Sequence, residues 1–192
     1  MGRIKALLVV VLCWPILALA QWDLKAVDST FQYATVKNGA VYEVNSFDQI
    51  KGYIGSHGIA TLTVDLASVN TGIAIRDTRM KKMLFNLAGF PEARIKMPVD
   101  IVQLAALSIG EMWPLSTGGE LQLNGHQQTI LTELHIYRLS EKRWLVKSAQ
   151  PVMIDAQAFG LLEGVEALRK IAGLDGIMPQ VPVSFDLVFE KL

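Results

Sequence analysis

The stretch TLTVDLASVNTGIAIRDTRMKKMLF, residues 61–85, changes its hydrophobic period partway along, and this change decides the fold. Its first six residues alternate polar and apolar side chains, which is typical of a β-strand with one buried face. The apolar members, which we expect to face inward, are Leu62, Val64 and Leu66. The later part has apolar residues at helical spacing, and we therefore predict a short helix over residues 80–87. The residues with this spacing are Met80, Met83, Leu84 and Leu87.

The two-residue period recurs along most of the chain outside this stretch. It is present in residues 29–37, 42–54, 93–104, 119–123, 129–139, 143–154 and 181–190. Asn124-Gly125 lies between two of these runs and favours a tight hairpin, because both residues tolerate positive φ. Helical spacing returns in residues 161–172, and Gly173 follows at the position of a C-cap glycine. The pattern predicts an all-β, mainly antiparallel fold: an elongated eight-stranded barrel with one or two short helices at its ends.

The N-terminal residues have the features of a secretory signal peptide. Arg3 and Lys5 precede an apolar run, residues 6–20, which ends in a small-x-small sequence. This ending predicts cleavage after Ala20, and the run is short for a membrane-spanning helix, which needs ~20 apolar residues. We therefore expect a periplasmic protein whose mature part, residues 21–192, forms a single domain.

Loss of residues 1–20 also limits the chemistry of the mature chain. The only cysteine, Cys13, leaves with this segment, which excludes thiol chemistry and disulfides from the mature protein. The 18 basic residues of the whole chain lose Arg3 and Lys5, leaving 16 against 18 acidic residues and a formal charge of −2. A near-neutral exported chain is a poor candidate for nucleic-acid binding, which depends on many lysine and arginine contacts to phosphate.

No set of residues with catalytic or metal-binding spacing stands out in the sequence. His57, His126 and His135 lie far apart, and none has a cysteine, aspartate or glutamate at the spacing of metal ligands. The nucleophile-elbow, phosphate-loop and HExxH motifs are absent. We therefore predict no catalytic residue and no metal site.

Aromatic residues and methionines occupy positions compatible with the inner face of several strands. They are Phe31, Tyr33, Phe47, Phe85, Met97, Phe159, Phe185 and Phe189. Alternation shows only that one face of each strand is buried, and an eight-stranded barrel can be packed solid or can enclose one small ligand. Two interpretations of the interior therefore stay open: a packed core, or an apolar cavity.

The charged residues between the predicted strand and helix have a simple structural explanation. Asp77 and Lys81 form an acid-then-base pair at i,i+4, and cations near a helix C-terminus are favourable. We interpret Arg79, Lys81 and Lys82 as the solvated face of the helix. Arg76 and Asp77 lie where the strand period ends, and we expect them to pair and to fix the transition from strand to helix.

The run from residue 63 to residue 95 resembles the signature of the YceI family. The matching positions are Asp65, Ser68, Thr71, Gly72, Arg76, Asp77, Phe85, Phe90, Pro91 and Ala93. Residues 119–125, 152–160 and 181–192 are similar to the family's later hairpin and last strands. Two places differ. The family's second strand commonly carries an Arg-His pair where this chain reads Val36-Lys37-Asn38-Gly39. Residues 161–180 are longer and more helical than the family's usual connection at this place, and we expect them either to close one mouth of the barrel or only to decorate it.

The resemblance implies an exported, lipocalin-like barrel, a single domain over residues 21–192, whose apolar channel binds a long isoprenoid chain of the quinone or polyprenyl-phosphate type. We expect no catalysis, no cofactor besides such a lipid, transient contact with a membrane, and a homodimer. Arg76 and Asp77 are expected to be structural or to lie near the lipid headgroup. The expected lining residues are Phe31, Tyr33, Phe47, Leu62, Val64, Leu66, Phe85, Ile95, Met97, Phe159 and Phe185.

Three other interpretations are compatible with the sequence. The barrel could be a structural or interaction module with a packed core and no ligand. It could be an outer-membrane barrel, although charged residues are scattered through its strands and its last residue is a leucine. It could also be an enzyme that acts on an isoprenoid. A continuous apolar cavity long enough for an isoprenoid tail would favour lipid binding.

Overall fold

The computed structural model describes residues 20–192, with side chains from Trp22 onward, so the predicted signal peptide except Ala20 lies outside the described residues. Twelve strands form within this range: β1 (Ala20–Leu24), β2 (Thr30–Lys37), β3 (Val41–Phe47), β4 (Ile50–Gly55), β5 (Ile59–Asp65), β6 (Val69–Asn70), β7 (Glu92–Pro98), β8 (Met112–Leu123), β9 (His126–Arg138), β10 (Arg143–Ser148), β11 (Val152–Asp155) and β12 (Gln180–Lys191). The three α-helices of this range are α1 (Ala74–Met83), α2 (Ile101–Ala106) and α3 (Leu162–Ile171).

These segments build an eight-stranded barrel, because four of the barrel strands are each interrupted once. The interrupted strands are β1 with β2, β3 with β4, β5 with β6, and β10 with β11. A 3₁₀ turn or a short bend separates the two halves in each case. The strands β7, β8, β9 and β12 are continuous.

The barrel closes through its first strand. Every pairing is antiparallel, and the wall runs in the order β1, β4, β5, β7, β8, β9, β10 and β12. The last strand then pairs with β1, which places Trp22 opposite Lys191 and Leu24 opposite Phe189. The interrupted halves extend the same wall, because β2 pairs with β12 and β3, and β3 pairs with β6. The predicted all-β, antiparallel, eight-stranded barrel is confirmed.

Two tight turns share one backbone geometry, and the first of them, Asn124-Gly125, lies where the sequence predicts a hairpin. Asn124 and Gly125, between β8 and β9, have φ angles of 50° and 77°. Positive φ at both central residues is the geometry that suits the twist of antiparallel strands. Asn38 and Gly39 repeat it between β2 and β3, with φ angles of 50° and 67°. Asparagine and glycine reach this conformation at lower cost than other residues, which explains their presence at both turns.

Two runs that predict continuous strands are each broken in the structure. Residues 42–54 form β3 and β4, and residues 143–154 form β10 and β11. At the first break the backbone N–H of Asp48 donates to the carbonyl of Ser68 at 3.0 Å, outside the ladder of β3 with β2. A sheet that closes into a small barrel bends strongly, and such breaks let a long strand follow the curve.

The predicted bounds of the first helix, residues 80–87, are wrong, since α1 runs from Ala74 to Met83. Gly72, with a φ angle of 71°, lies at the turn that leads into the helix. The first turn of α1 is exposed or half-buried, and its apolar residues Ala74 and Ile75 are among the exposed ones, so hydrophobic spacing did not reveal it. The helix ends at Met83, and Phe85 just beyond it lines the barrel interior.

The helix α2 replaces the end of a predicted strand over residues 93–104. β7 ends at Pro98, and the carboxylate of Asp100 then accepts hydrogen bonds from the N–H groups of Val102 and Gln103 at 2.9 and 3.1 Å. A six-residue helix is too short to show a helical period. The sequence feature that could have predicted α2 is Pro98 followed by Asp100 as an N-cap residue.

The helices lie at opposite ends of the barrel. α1 follows the end of the β5–β7 pair that contains Asp65, and α2 follows the end that contains Pro98. α3 packs against α1, and Gly164 permits this approach, since a Cβ atom there would lie 2.6 Å from the carbonyl oxygen of Met83. We call these the α1–α3 end and the α2 end. Among the described helices, none is long and apolar enough to cross a membrane.

The predicted helix over residues 161–172 is confirmed as α3, and it closes the barrel rather than decorating its outside. Leu161 and Val165 are buried in a cluster with Leu123 of β8 and Leu66. Gly173 follows with a φ angle of 65°, as a C-terminal glycine does when it ends a helix.

The α2 end is sealed by packed aromatic and aliphatic side chains. Leu104 of α2 is 1% exposed, and Trp22 and Trp144 meet edge to face with 5.3 Å between their ring centroids. The guanidinium of Arg138 lies 5.6 Å from the Trp144 ring centroid and donates to the carbonyl of Leu107, just beyond α2. These contacts fix α2 against the barrel.

Candidate ligand-binding cavity

An apolar cavity runs inside the barrel from the α1–α3 end to the α2 end. Its volume is about 280 Å³, close to the lower end of the ~300–1,000 Å³ usual for small-molecule sites. Met80 of α1 and Val165 of α3 line it at one end, and Trp144 and Leu104 of α2 line it at the other. The side chains of the barrel therefore leave part of the interior unfilled, which argues against a solidly packed core.

The lining of the cavity is almost entirely apolar. The lining side chains that carry an oxygen or nitrogen atom are Tyr33, Thr35, Thr61, Thr132 and Trp144. No charged side chain among the described residues lines the cavity. Apolar surface gains ~25 cal/mol per Å² when it leaves water, whereas a charge would lose its hydration without gaining a partner. The cavity is therefore suited to an apolar occupant.

Ten of the eleven residues predicted to line a channel do line the cavity: Phe31, Tyr33, Phe47, Leu62, Val64, Leu66, Phe85, Ile95, Met97 and Phe185. Phe159 does not, because its 1% exposed ring packs behind the wall with Leu161 and Val165. It belongs to the 3₁₀ turn Ala156–Phe159, where strand alternation does not apply. Contact of any of these residues with a ligand stays a prediction.

Aromatic rings form a connected group along one side of the cavity. The Phe47 ring centroid lies 6.4 Å from that of Phe31, 5.2 Å from that of Tyr33 and 6.2 Å from that of Phe85. Phe31 also stacks on Phe185, with 6.3 Å between the centroids. Aromatic pairs in this range are mutually attractive. The group therefore gives β2, β3 and β12 a common, well-ordered inner surface.

Much of the lining on the later strands was not predicted from the sequence. The residues that were not predicted to face inward are, on β9, β10, β11 and β12, Ile130, Thr132, Leu134, Ile136, Trp144, Val146, Val152, Ile154, Val181, Val183 and Leu187. They alternate along their strands, so the two-residue period was a usable signal. Leu84, Leu104, Leu161 and Val165 lie in or beside helices, where that period cannot identify an inward residue.

We infer that the mouth of the cavity lies at the α1–α3 end, beside Met178, because this is the most exposed of the lining side chains. This side chain is 45% exposed, whereas the other lining residues are buried or half-buried. Its backbone N–H donates to the carbonyl of Val36 at 2.9 Å, and the Asn38 side chain accepts from the N–H of Asp175 at 2.9 Å. These bonds hold the segment after α3 against the β2–β3 hairpin, so the two together border the mouth.

Four charged side chains lie beside this mouth, and we call Lys37, Glu43, Arg76 and Asp77 the rim cluster. Lys37 Nζ and Arg76 Nη1 donate to the same carboxylate oxygen of Glu43. Arg76 Nη2 also donates to the carbonyl of Thr71 at 2.9 Å. The hydrogen bond from Lys37, assisted by Arg76, holds the pKa of Glu43 below its usual value, so this carboxylate is ionised at neutral pH.

The expected pairing of Arg76 with Asp77 is wrong. Asp77 Oδ1 instead accepts hydrogen bonds from the backbone N–H of Thr71 at 2.9 Å and from its hydroxyl at 2.6 Å. Adjacent residues of a helix do not face each other, so Arg76 points to Glu43 while Asp77 points back to Thr71. Both side chains nevertheless bind Thr71, which ties the start of α1 to the preceding turn.

The other cations of α1 mostly fit the predicted solvated face. Lys82 is exposed, Arg79 and Lys81 are half-buried, and none of the three forms an ion pair with another described residue. The expected pair of Asp77 with Lys81 is wrong, because the Asp77 carboxylate is directed to Thr71.

Tyr33 places a hydroxyl on the wall of the cavity. This hydroxyl lies 3.6 Å from the Met80 sulfur, a weak acceptor, and the side chain is buried. Burial, together with the Asp77 carboxylate, raises the pKa of Tyr33 above its ordinary value. Tyr33 therefore contributes a hydrogen-bond donor and no charge at neutral pH.

The histidines do not assemble into a site. His57 and His126 are exposed, and His135 is half-buried on β9. In the part of the chain that the structure describes, no three histidine, cysteine, aspartate or glutamate residues are grouped as metal ligands.

A closed antiparallel barrel around an apolar cavity defines a class of barrels that hold small ligands in their interior. The chain belongs to the YceI-like family, since the YceI-like domain matches residues 22–189. This confirms the family that the sequence resembles.

Two solved structures are similar to this chain over nearly its whole length. A polyisoprenoid-binding domain from Saccharophagus degradans, implicated in plant cell wall breakdown, has 36% identity and a TM-score of 0.88, covering 91% of this chain and 100% of that chain. BcnA from Burkholderia cenocepacia has 17% identity and a TM-score of 0.68, covering 86% of this chain and 99% of that one, a likeness in fold alone. No match was found among curated proteins.

Proposed function

We propose that this protein is an exported carrier that holds a long isoprenoid chain, of the quinone or polyprenyl-phosphate type, in its barrel cavity. No bond-making step belongs to this function. The observation that carries the proposal is the cavity itself, which apolar side chains line from one end of the barrel to the other.

Burial of the chain supplies the driving force for binding. Each buried CH₂ group contributes ~0.8 kcal/mol, so one five-carbon unit contributes roughly 4 kcal/mol before the entropic cost of binding. A ligand held through its chain needs few polar contacts, which agrees with the small number of polar side chains in the lining. The similar domain from Saccharophagus degradans, described as polyisoprenoid-binding, supports the ligand class.

Export and membrane contact belong to the same proposal. Residues 1–20 have the sequence of a signal peptide, and we place the mature protein in the periplasm after cleavage behind Ala20. The exposed Met178 at the mouth, with the exposed cations Lys82 and Lys170 on the helices of the same end, supports transient contact with a membrane during loading. N-terminal sequencing of periplasmic protein measures the cleavage, and sedimentation velocity measures the predicted homodimer.

Extraction of the purified protein tests the function directly. Protein recovered from cells that make isoprenoid lipids is extracted with organic solvent, and the extract is analysed by mass spectrometry. We expect an isoprenoid lipid in near-stoichiometric amount. Protein that is empty, and that also takes up no added isoprenoid, would contradict the proposal.

The variant Phe185→Trp separates a ligand cavity from a packed core. A larger ring at this position projects into the cavity, so we expect reduced lipid content and a loss of stability below ~1 kcal/mol, whereas overpacking a filled core costs ~1–3 kcal/mol. The matched control is Leu131→Trp, because Leu131 is 81% exposed on β9. A large loss of stability with unchanged lipid content in Phe185→Trp would favour a packed module.

A further inference from the structure

Two members of the rim cluster, Lys37 and Glu43, lie directly beyond the cavity on the inner face of the β2–β3 hairpin, and Arg76 of α1 contacts Glu43 there. Tyr33 and Thr35 line the cavity, and Lys37 follows them on the same face of β2, because strand side chains alternate with a period of two. Glu43 pairs with Thr35 across the hairpin. A chain that fills the cavity with its polar end at the mouth therefore brings that end to Thr35 and the rim cluster.

The charges of this cluster balance one another. Lys37 and Arg76 share one carboxylate oxygen of Glu43, and the second negative charge, Asp77, lies beside them on α1. The cluster therefore contains two cations and two carboxylates, of which Glu43 alone pairs with the cations, and no charged side chain of the described residues lines the cavity. The lowered pKa of Glu43 keeps its negative charge in place at neutral pH.

We infer that Glu43 sets the headgroup specificity of the cavity, and that the preferred ligand is an isoprenoid whose polar end is uncharged, such as a hydroxyl or a quinone ring. This inference rests on the proposed function and narrows its ligand class. A phosphate at the mouth would meet cations already engaged with Glu43, and the Glu43 carboxylate would repel it. An uncharged end needs only hydrogen bonds, which the hydroxyl of Thr35 can supply.

The test compares ligands that differ only in the charge of the polar end. A polyprenol and the polyprenyl monophosphate of the same chain length are titrated into the purified, delipidated mature protein, and a prenylquinone of similar length serves as a second uncharged probe. The measured quantity is the ratio of the affinities for the alcohol and the phosphate. We expect the wild-type protein to prefer the two uncharged ligands.

Two variants should move this ratio in opposite directions. Glu43→Gln leaves Lys37 and Arg76 without their shared anion, so we expect the ratio to shift toward the phosphate by about fivefold. Lys37→Gln removes a cation, and we expect a shift toward the alcohol. A general loss of folding would weaken both ligands in both variants and cannot produce opposite shifts.

The control variant is Asp186→Asn, which makes the same charge change at the Lys147–Asp186 ion pair, where neither residue lines the cavity. It should leave the ratio unchanged. A wild-type protein that binds the phosphate more tightly than the alcohol, or an unchanged ratio in Glu43→Gln, would overturn the inference and leave lipid binding intact. A wild-type protein that binds none of the three ligands would instead overturn the proposed function.

Discussion

Glu43 joins three elements of the fold through one carboxylate. It lies on β3 and accepts hydrogen bonds from Lys37 on β2 and from Arg76 on α1, so it connects the hairpin with the helix. Its side chain is 34% exposed, and water therefore screens these ion pairs. Their contribution to stability is smaller than that of a buried pair.

Replacing this carboxylate should make folding less dependent on pH. The pKa of Glu43 is lowered in the folded protein, so its pairing stabilises the fold above the ordinary carboxyl pKa of 4.5 and is lost as the pH falls. We expect Glu43→Gln to lose roughly 0.5–1 kcal/mol at pH 7, after allowance for solvent screening, and less at pH 3. Urea denaturation of both proteins at the two pH values measures this. A loss that is equal at pH 7 and pH 3 would exclude the ionic contribution.

Inward-facing residues could be predicted from the sequence, whereas their charged partners could not. The alternation at Leu62 and Val64 is a local property, and the strand that contains them keeps it in the folded chain. The ion pair of Arg76 with Glu43 joins residues 33 positions apart and exists only because α1 folds back over the hairpin. Nothing in the local sequence of Arg76 distinguishes Glu43 from Asp77 as its partner.

At the scale of elements, the contact between α1 and α3 covers the end of the barrel at which the mouth of the cavity lies. Gly164 of α3 lies against the end of α1, where the Met83 carbonyl and the Leu84 backbone leave no room for a side chain. This explains a glycine inside a helix, where it is otherwise unfavourable by ~1 kcal/mol relative to alanine.

A methyl group at this contact should separate the two helices. We expect Gly164→Ala to lose about 1–3 kcal/mol of stability, despite the better helix propensity of alanine, because the new Cβ would lie 2.6 Å from a backbone oxygen. Thermal or urea denaturation measures the loss. The control is Gly176→Ala, since a Cβ there would have no neighbour within 4 Å. Equal stability of Gly164→Ala and wild type would show that the helices are not in firm contact.

The element boundaries show where sequence patterns stop being informative. α3 could be predicted because its apolar face covers three turns and a C-terminal glycine follows it. The start of α1 could not, because its first turn is fixed by hydrogen bonds from Thr71 to Asp77 rather than by apolar burial. α2 is set by a single capping aspartate, Asp100, after a proline.

At the scale of the whole molecule, the cavity depends on the closure of the wall by β1. Trp22 is 2% exposed and packs edge to face on Trp144, and its strand pairs with both β4 and β12. Whether side chains fill such a barrel depends on their summed volumes in three dimensions. Alternation along single strands therefore predicted the wall but left the packed and hollow interiors equally possible.

Removal of the Trp22 side chain should weaken this closure. We expect Trp22→Ala to lose about 3–5 kcal/mol in urea denaturation, because a large buried ring leaves a cavity at the joint of the wall. Tyr53→Ala is the control, since Tyr53 lies opposite Asp23 on the neighbouring strand but is 46% exposed. A loss no greater than that of the control would mean that the wall closes without Trp22.

The pairing of residues 22–24 with residues 189–191 also means that the barrel closes only when both ends of the described chain are present. Contacts between such distant segments form late in folding, because the loop between them must close first. A chain that lacks its last strand has no enclosed interior, so the cavity can hold an apolar molecule only after residues 180–191 have joined the wall.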